Sequence, residues 1–195
     1  MQHFPRADTN LNYTHYRTLN RQLRHHLAKL FARYSKLLML RVDFSYQLDS
    51  HSRDEGDVHS TVADMALLLQ RSNDINGLVG YAWVLEYTEG HGMHIHAAFY
   101  LNGQKHRKVW PVFEKLKDIW LEVTEGEGVA FRCAPQDYYK VQGECVTPYH
   151  DLQGRKGMQY ILSYLSKQDQ KTQGVICQLS DVPAASVAGR RRKAS

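Results

Sequence analysis

The sequence predicts an α+β fold, a central antiparallel β-sheet with helices packed mainly on one face. Three observations carry this. Segments 37–46, 79–88 and 93–101 read as strands, the first with clear apolar–polar alternation. The second and third are joined by Glu89-Gly90-His91-Gly92, a connection short enough to make a hairpin and therefore antiparallel pairing. Segments with helical periodicity stand before, between and after them, in the order helix, strand, helix, hairpin, helix, strands, helix. At 195 residues and 43% hydrophobic, the chain suits one domain with its own core. We read an N-terminal arm over 1–17, a domain over 18–182 and a small, polar, basic tail over 183–195 with the composition of disorder.

Each element has a local reason. In 18–36, Leu19, Leu23, Leu27, Leu30, Phe31 and Tyr34 share one helical face, which suits packing on a sheet. Arg21, His25, Lys29, Arg33 and Lys36 share the other, a basic ridge suited to phosphates. In 37–46, Leu38, Leu40, Val42 and Phe44 point one way, and Met39, Arg41, Asp43 and Ser45 the other. After a polar loop over 47–57, Asp57 caps a helix over 58–73 with Val62, Met65, Ala66 and Leu69 inward. Asn102-Gly103 marks a turn, and Pro111 suits the first turn of a helix over 109–124. Weaker strand patterns lie at 128–133 and 137–142, and a last helix at about 155–168.

Charge and composition narrow the function classes. The net charge of +5 is concentrated at the ends: residues 1–36 hold seven Lys/Arg against one Asp, and Arg190, Arg191, Arg192 and Lys193 follow in the tail. A polyanionic partner is expected, but the net-negative middle must hold its ligand by more than bulk charge. No apolar run approaches the ~20 residues of a membrane span, and the first residues lack a secretory pattern. Cys133, Cys145 and Cys177 have neither the even count nor the CxxC spacing of a disulfide framework or zinc ribbon. The expectation is a protein of a reducing, cytoplasmic compartment.

Three features bear chemistry. His94 and His96 flank Ile95 in a strand, so both imidazoles project to one face while Ile95, Ala97, Phe99 and Leu101 take the other. Such a pair can chelate one metal ion. Glu86, on the preceding strand, is brought beside the pair by the hairpin, and a carboxylate in an apolar strand needs a partner or solvent. Asp43 competes with it as third ligand, and His91 is a turn residue or an extra ligand. Tyr160, Tyr164 and Lys167 stand at i, i+4 and i+7 of the last helix, within about 60° of one another. Met158, Ile161, Leu162 and Leu165 form the opposite, buried stripe. Metal ligands, a phenol and a cation are the parts phosphodiester transesterification requires, because a phenol of pKa about 10 is a poor nucleophile without help.

The set resembles the HUH endonuclease superfamily, named for its His-hydrophobe-His motif. Glu86 followed by His94-Ile95-His96 looks like the metal site of its replication initiators, and the tyrosines lie C-terminal to the histidines, as in that class. Tyr160-x-x-x-Tyr164-x-x-Lys167 looks like the two-tyrosine motif of single-stranded-DNA phage initiators. Over roughly 37–170 the chain is most like the small inovirus- and prophage-type replication proteins. The resemblance implies an HUH/RRM-like palm, Mg²⁺ or Mn²⁺ on His94, His96 and Glu86, and single-stranded or hairpin DNA at a replication origin as substrate. It implies a 5′-phosphotyrosine intermediate that starts rolling-circle replication in a bacterial host cell. Lys167 completes a YxxK motif with Tyr164, whereas position 163, three after Tyr160, is serine. Tyr164 is therefore the expected first nucleophile and Tyr160 the second or a positioning group. Gly90-His91-Gly92 stands where many initiators carry Arg-Gly, and with no Gly-rich phosphate loop the helicase and polymerase would come from the host. Competing readings are a catalytically inactive DNA-binding regulator on the same fold, a related transposase, and an unrelated HxH metal hydrolase. Ala97-Ala98 depart from the HxHxDH pattern of the last.

Overall fold

The computed structural model describes residues 9–135, 141, 143–169, 171 and 174–184. The elements are α1 (Arg17–Arg33), β1 (Lys36–Tyr46), α2 (His51–Asp54), α3 (Val58–Ser72), β2 (Leu78–Thr88), β3 (Gly92–Asn102), α4 (Trp110–Val123), β4 (Gly128–Arg132), β5 (Thr147–Pro148), α5 (Leu152–Ser163), a 3₁₀ turn (Tyr164–Ser166) and β6 (Cys177–Leu179). The class is α+β, with one six-stranded antiparallel sheet in the order β4-β1-β3-β2-β6 and β5 pairing the start of β1. The run β1-α3-β2-β3-α4-β4 is a split βαβ arrangement.

Local chemistry fixes the boundaries. Asp57 caps α3 in a reciprocal capping box with Ser60. Pro111 sits in the first turn of α4. Gly92 has φ +66°, a conformation the hairpin turn requires and glycine adopts without strain. Asp151 caps α5 by accepting from Gly154 N. In α3, Ala66 is exposed and Leu68 is buried in its place.

Helices cover both faces of the sheet, where the sequence pattern suggested mainly one. On the first face Leu38, Leu40, Val42 and Phe44 of β1, with Trp83, Leu85, Ile95, Ala97 and Phe99, pack against Met65 and Leu68 of α3 and Leu116 and Trp120 of α4. On the second, Leu37, Met39, Ala82, Val84, Ala98 and Tyr100 pack against α1 and α5 through Leu23, Leu27, Leu30, Met158 and Leu162. The physical reason is that α1 precedes the split βαβ core and α5 follows it, so both are free to close the face that the core's own helices leave open. The second apolar set is small or interrupted by charge, which hid it.

Two further differences bear on the site. The last helix ends at Ser163 rather than near 168. Ser163 and Ser166 turn their hydroxyls back to the carbonyls of Tyr160 and Ser163, the competition with helix bonding expected of serine, and the chain tightens into the 3₁₀ turn. β5 and β6 have no forecast in the sequence; β6 joins the outer edge of β2 through Ala82–Leu179 and Val84–Cys177. Of the expected strand 137–142, only position 141 lies among the described residues, and 185–195 of the tail lie outside them.

Candidate functional site

Strand register assembles the site. His94 and His96 lie on the α1/α5 face because Ile95, Ala97 and Phe99 fill the other core. Glu86 is directly opposite His94, and Asp43 directly opposite His96. Three neighbouring strands therefore contribute polar groups at one level of the sheet.

Glu86, His94 and His96 form a group that could hold a metal ion, with one ligand atom from each all within 4.8 Å of one another. His96 Nε2 lies 3.3 Å, and His94 Nε2 3.9 Å, from Glu86 Oε2. His96 Nε2 and Glu86 Oε2 are both buried and neither has a hydrogen-bond partner. The remaining ring nitrogens explain why. His94 Nδ1 is 3.0 Å from the Gly92 carbonyl oxygen and His96 Nδ1 is 2.6 Å from Asp43 Oδ1. A carbonyl and a carboxylate only accept, so both Nδ1 atoms donate, and both Nε2 lone pairs are aimed at one point near Glu86. This is how protein second partners orient metal-ligating histidines. The donor set fits a metal ion: His96 Nε2 would otherwise be a buried acceptor without a hydrogen bond, and Glu86 Oε2, ion-paired with Lys167 at 3.0 Å, likewise makes no hydrogen bond.

Asp43 and His91 fall outside this group. Asp43 is the orienting partner of His96 and also accepts from Arg41 at 3.3 Å. His91 stays in the hairpin turn with Thr88, its ring 6.1 Å from that of His94.

Electrostatics reinforce the geometry. Burial alone would raise the Glu86 carboxyl, but His96 and Lys171 hold it down at about 2. Burial likewise opposes ionisation of Asp43, and its hydrogen bond and charge pairing with His96, with help from Arg41, bring it to about 2. Burial lowers the His94 pKa and favours the neutral imidazole a metal requires. At His96 burial is outweighed by Asp43 and Glu86, which raise its pKa. The same two negative groups favour any cation placed at that ring.

The tyrosine turn leans on this cluster. Lys167 Nζ donates to Tyr164 Oη at 2.9 Å and lies 3.0 Å from Glu86 Oε2. Lys167 is buried, at 4% exposure, which a surface helix would not predict. It reaches Glu86 because the chain leaves helical geometry there, at ψ 144°. Tyr164 and Glu86 keep Lys167 protonated, raising its pKa against the effect of burial. The Tyr164 ring is edge-on to His96 at 5.3 Å and lies under the Arg41 guanidinium at 5.0 Å. Tyr160 stands one turn earlier and lines a cavity with Tyr164.

Sequence reasoning missed three contributors. Lys171, also buried, donates to Glu86 Oε1 and to the Lys167 carbonyl, both at 2.6 Å, and so engages the oxygen of Glu86 that faces away from His96. Arg41 bridges Asp43 and Tyr164; its place on the polar face of β1 was the available signal. The arm contributes Tyr13, edge-on to Tyr164 at 5.7 Å, and His15, which bridges Lys167 through the backbone and Ser166 through its ring. The backbone bond Tyr16 N to Ser166 O completes this strap.

Among the described residues no helix is long and apolar enough to cross a membrane. No family model, curated protein or solved structure matches the chain.

Proposed function

We propose that the chain is a metal-dependent, tyrosine-utilising endonuclease that nicks and rejoins single-stranded or hairpin DNA at an origin, initiating rolling-circle replication of a phage, prophage or plasmid. The carrying observation is the contact chain Tyr164–Lys167–Glu86–His96, which joins a phenol to the metal-capable group by links of 2.9, 3.0 and 3.3 Å.

Tyr164 Oη loses its proton to solvent and attacks the phosphorus of a phosphodiester. The P–O3′ bond breaks, leaving phosphorus bonded to Tyr164 and to the 5′ oxygen. The departing 3′ oxygen takes up a proton and becomes the free 3′-OH that primes synthesis. Lys167 donates to the Tyr164 oxygen and stabilises negative charge on it as the proton leaves. Asp43 holds His96 and Lys171 holds Glu86, so the three ligand atoms need not reorganise. A divalent ion on His94, His96 and Glu86 would act as Lewis acid toward the phosphate and the leaving oxygen. Two imidazoles suit Mn²⁺ better than Mg²⁺, which prefers oxygen ligands. Joining is the reverse attack by a 3′-OH, and Tyr160 is the candidate for a second transfer. Host helicase and polymerase would extend the primer.

The test uses labelled single-stranded oligonucleotides, Mn²⁺ and denaturing gels. Wild type should give a covalent protein–DNA band that is lost in Tyr164→Phe or in His94→Ala/His96→Ala. A band that persists when both tyrosines are phenylalanine would sink the assignment. DNA binding without an adduct, across pools containing the source replicon's origin, would favour the regulator.

A further inference from the structure

The α1/α5 face of the sheet is not covered to its edge. Phe131 of β4 pairs with Asp43 of β1, so its ring stands on the same face as the site, yet it is 66% exposed. Its exposed ring, beside a charged centre, is open to stacking by a planar ligand. Between Phe131 and the tyrosine turn lies a cavity of about 560 Å³. Its apolar lining comes from Met39, Val141 and Ile161, and Tyr160 and Tyr164 form one wall. That volume falls in the range of about 300–1,000 Å³ typical of small-ligand sites. Arg41 also lines it, and Arg41 Nε is buried with no hydrogen-bond partner. Asn12, from the arm, also lines it.

We propose that Phe131, this cavity and Arg41 form a pocket for one unstacked nucleobase of a single strand, the base next to the phosphate presented to Tyr164. The proposal rests on the nicking reading for that last position only. The chemistry favours a base over a bare phosphate. Arg41 is already tied to Asp43 and stacked on Tyr164, so its charge is partly spent, while aromatic rings flank the cavity on two sides. A flat, hydrogen-bonding ring matches aromatic walls with a buried donor in the lining, and base–aromatic stacking tolerates sequence. A paired base cannot enter, so the pocket discriminates single strands from duplex.

The experiment measures fluorescence anisotropy without metal. The probes are an oligo-dT of about 20 nucleotides, longer than the ~4–16 one single-strand-binding module covers, and a blunt duplex of equal length. Phe131→Ala should weaken single-strand binding by about 5- to 150-fold, the loss of one stack, with duplex affinity and melting temperature unchanged. Phe131→Trp should restore it, and Ile161→Trp, which fills the cavity, should lose it. Equal affinity of Phe131→Ala and wild type for oligo-dT, including no binding by either, overturns the pocket. So does an equal loss on single strand and duplex. The adduct assay separates the two ideas. A binding loss in Phe131→Ala with no adduct in wild type keeps the pocket and removes the nickase. An adduct in wild type with Phe131→Ala binding unchanged does the reverse.

Discussion

The two faces of the sheet are made by the same three strands and could hardly be less alike. Even positions of β1 and odd positions of β2 and β3 build a face of Phe44, Phe99, Trp83 and Leu40 under α3 and α4, closed by Trp120, whose indole donates to Ser45 O. The alternate positions build a face that is apolar only where α1 and α5 cover it, then gives way to Arg41, Asp43, Glu86, His94 and His96. The difference teaches that stability and chemistry are separated here by the parity of residues rather than by domains. A substitution should therefore act on one property or the other according to which way its side chain points.

The sharpest division comes from Tyr164→Phe. Covalent adduct should fall on the order of 10⁴-fold or more, as for loss of other catalytic nucleophiles, while the thermal melting curve stays in place. Trp120→Ala should do the opposite. It should destabilise by about 3–5 kcal/mol in denaturant titration, with adduct per folded molecule unchanged; a parallel loss of adduct would break the separation of the faces.

Glu86→Gln blurs the division, because it leaves Lys167 and Lys171 buried without their carboxylate. A loss of about 3–5 kcal/mol is expected, as for breaking other buried ion pairs. Its pH signature is specific. The Glu86 carboxyl is held at about 2, below its unfolded value of 4.5. Its stabilisation, about 3 kcal/mol by linkage, is therefore full above pH ~4.5 and is lost as pH falls toward 2. In Glu86→Gln the stability curve should be flatter across that window.

Asp43→Asn should weaken Mn²⁺ binding by about 10- to 100-fold in calorimetry, since His96 loses the carboxylate that orients it. Smallest is Tyr13→Ala. Losing one edge-on aromatic contact should cost about 0.5–1.5 kcal/mol and raise hydrogen exchange in the Tyr164–Ser166 turn without altering the sheet.

Legibility in the sequence follows range of interaction. The alternation of β1 and the His94-Ile95-His96 spacing state their own faces, and the short hairpin makes Glu86 a neighbour of His94. The Asp57 cap and Pro111 mark helix starts because both act within one turn. Lys171 is marked only misleadingly: at i+11 it continues the Tyr160, Tyr164, Lys167 row, but helical geometry ends before it, so only the tertiary fold states its contact with Glu86. Ending α5 at Ser163 depends on serine hydroxyls competing with the backbone, a balance that helical periodicity does not register. The arm is least legible, since Tyr13 and His15 make their contacts with residues far along the chain.

That last distance has a consequence for synthesis. His15 and Ser166, which hydrogen-bond in the finished molecule, are separated by 151 positions. At about 5–20 residues per second, the ribosome makes His15 roughly 8–30 s before the segment it straps. A nascent chain can thus carry α1, the hairpin and both histidines while Tyr164, Lys167 and Lys171 have yet to be translated. The surroundings of the tyrosine are among the last parts to be assembled, so the histidine pair, with Asp43 and Glu86 already beside it, exists in the cell for a time before the tyrosine and its lysines can join it.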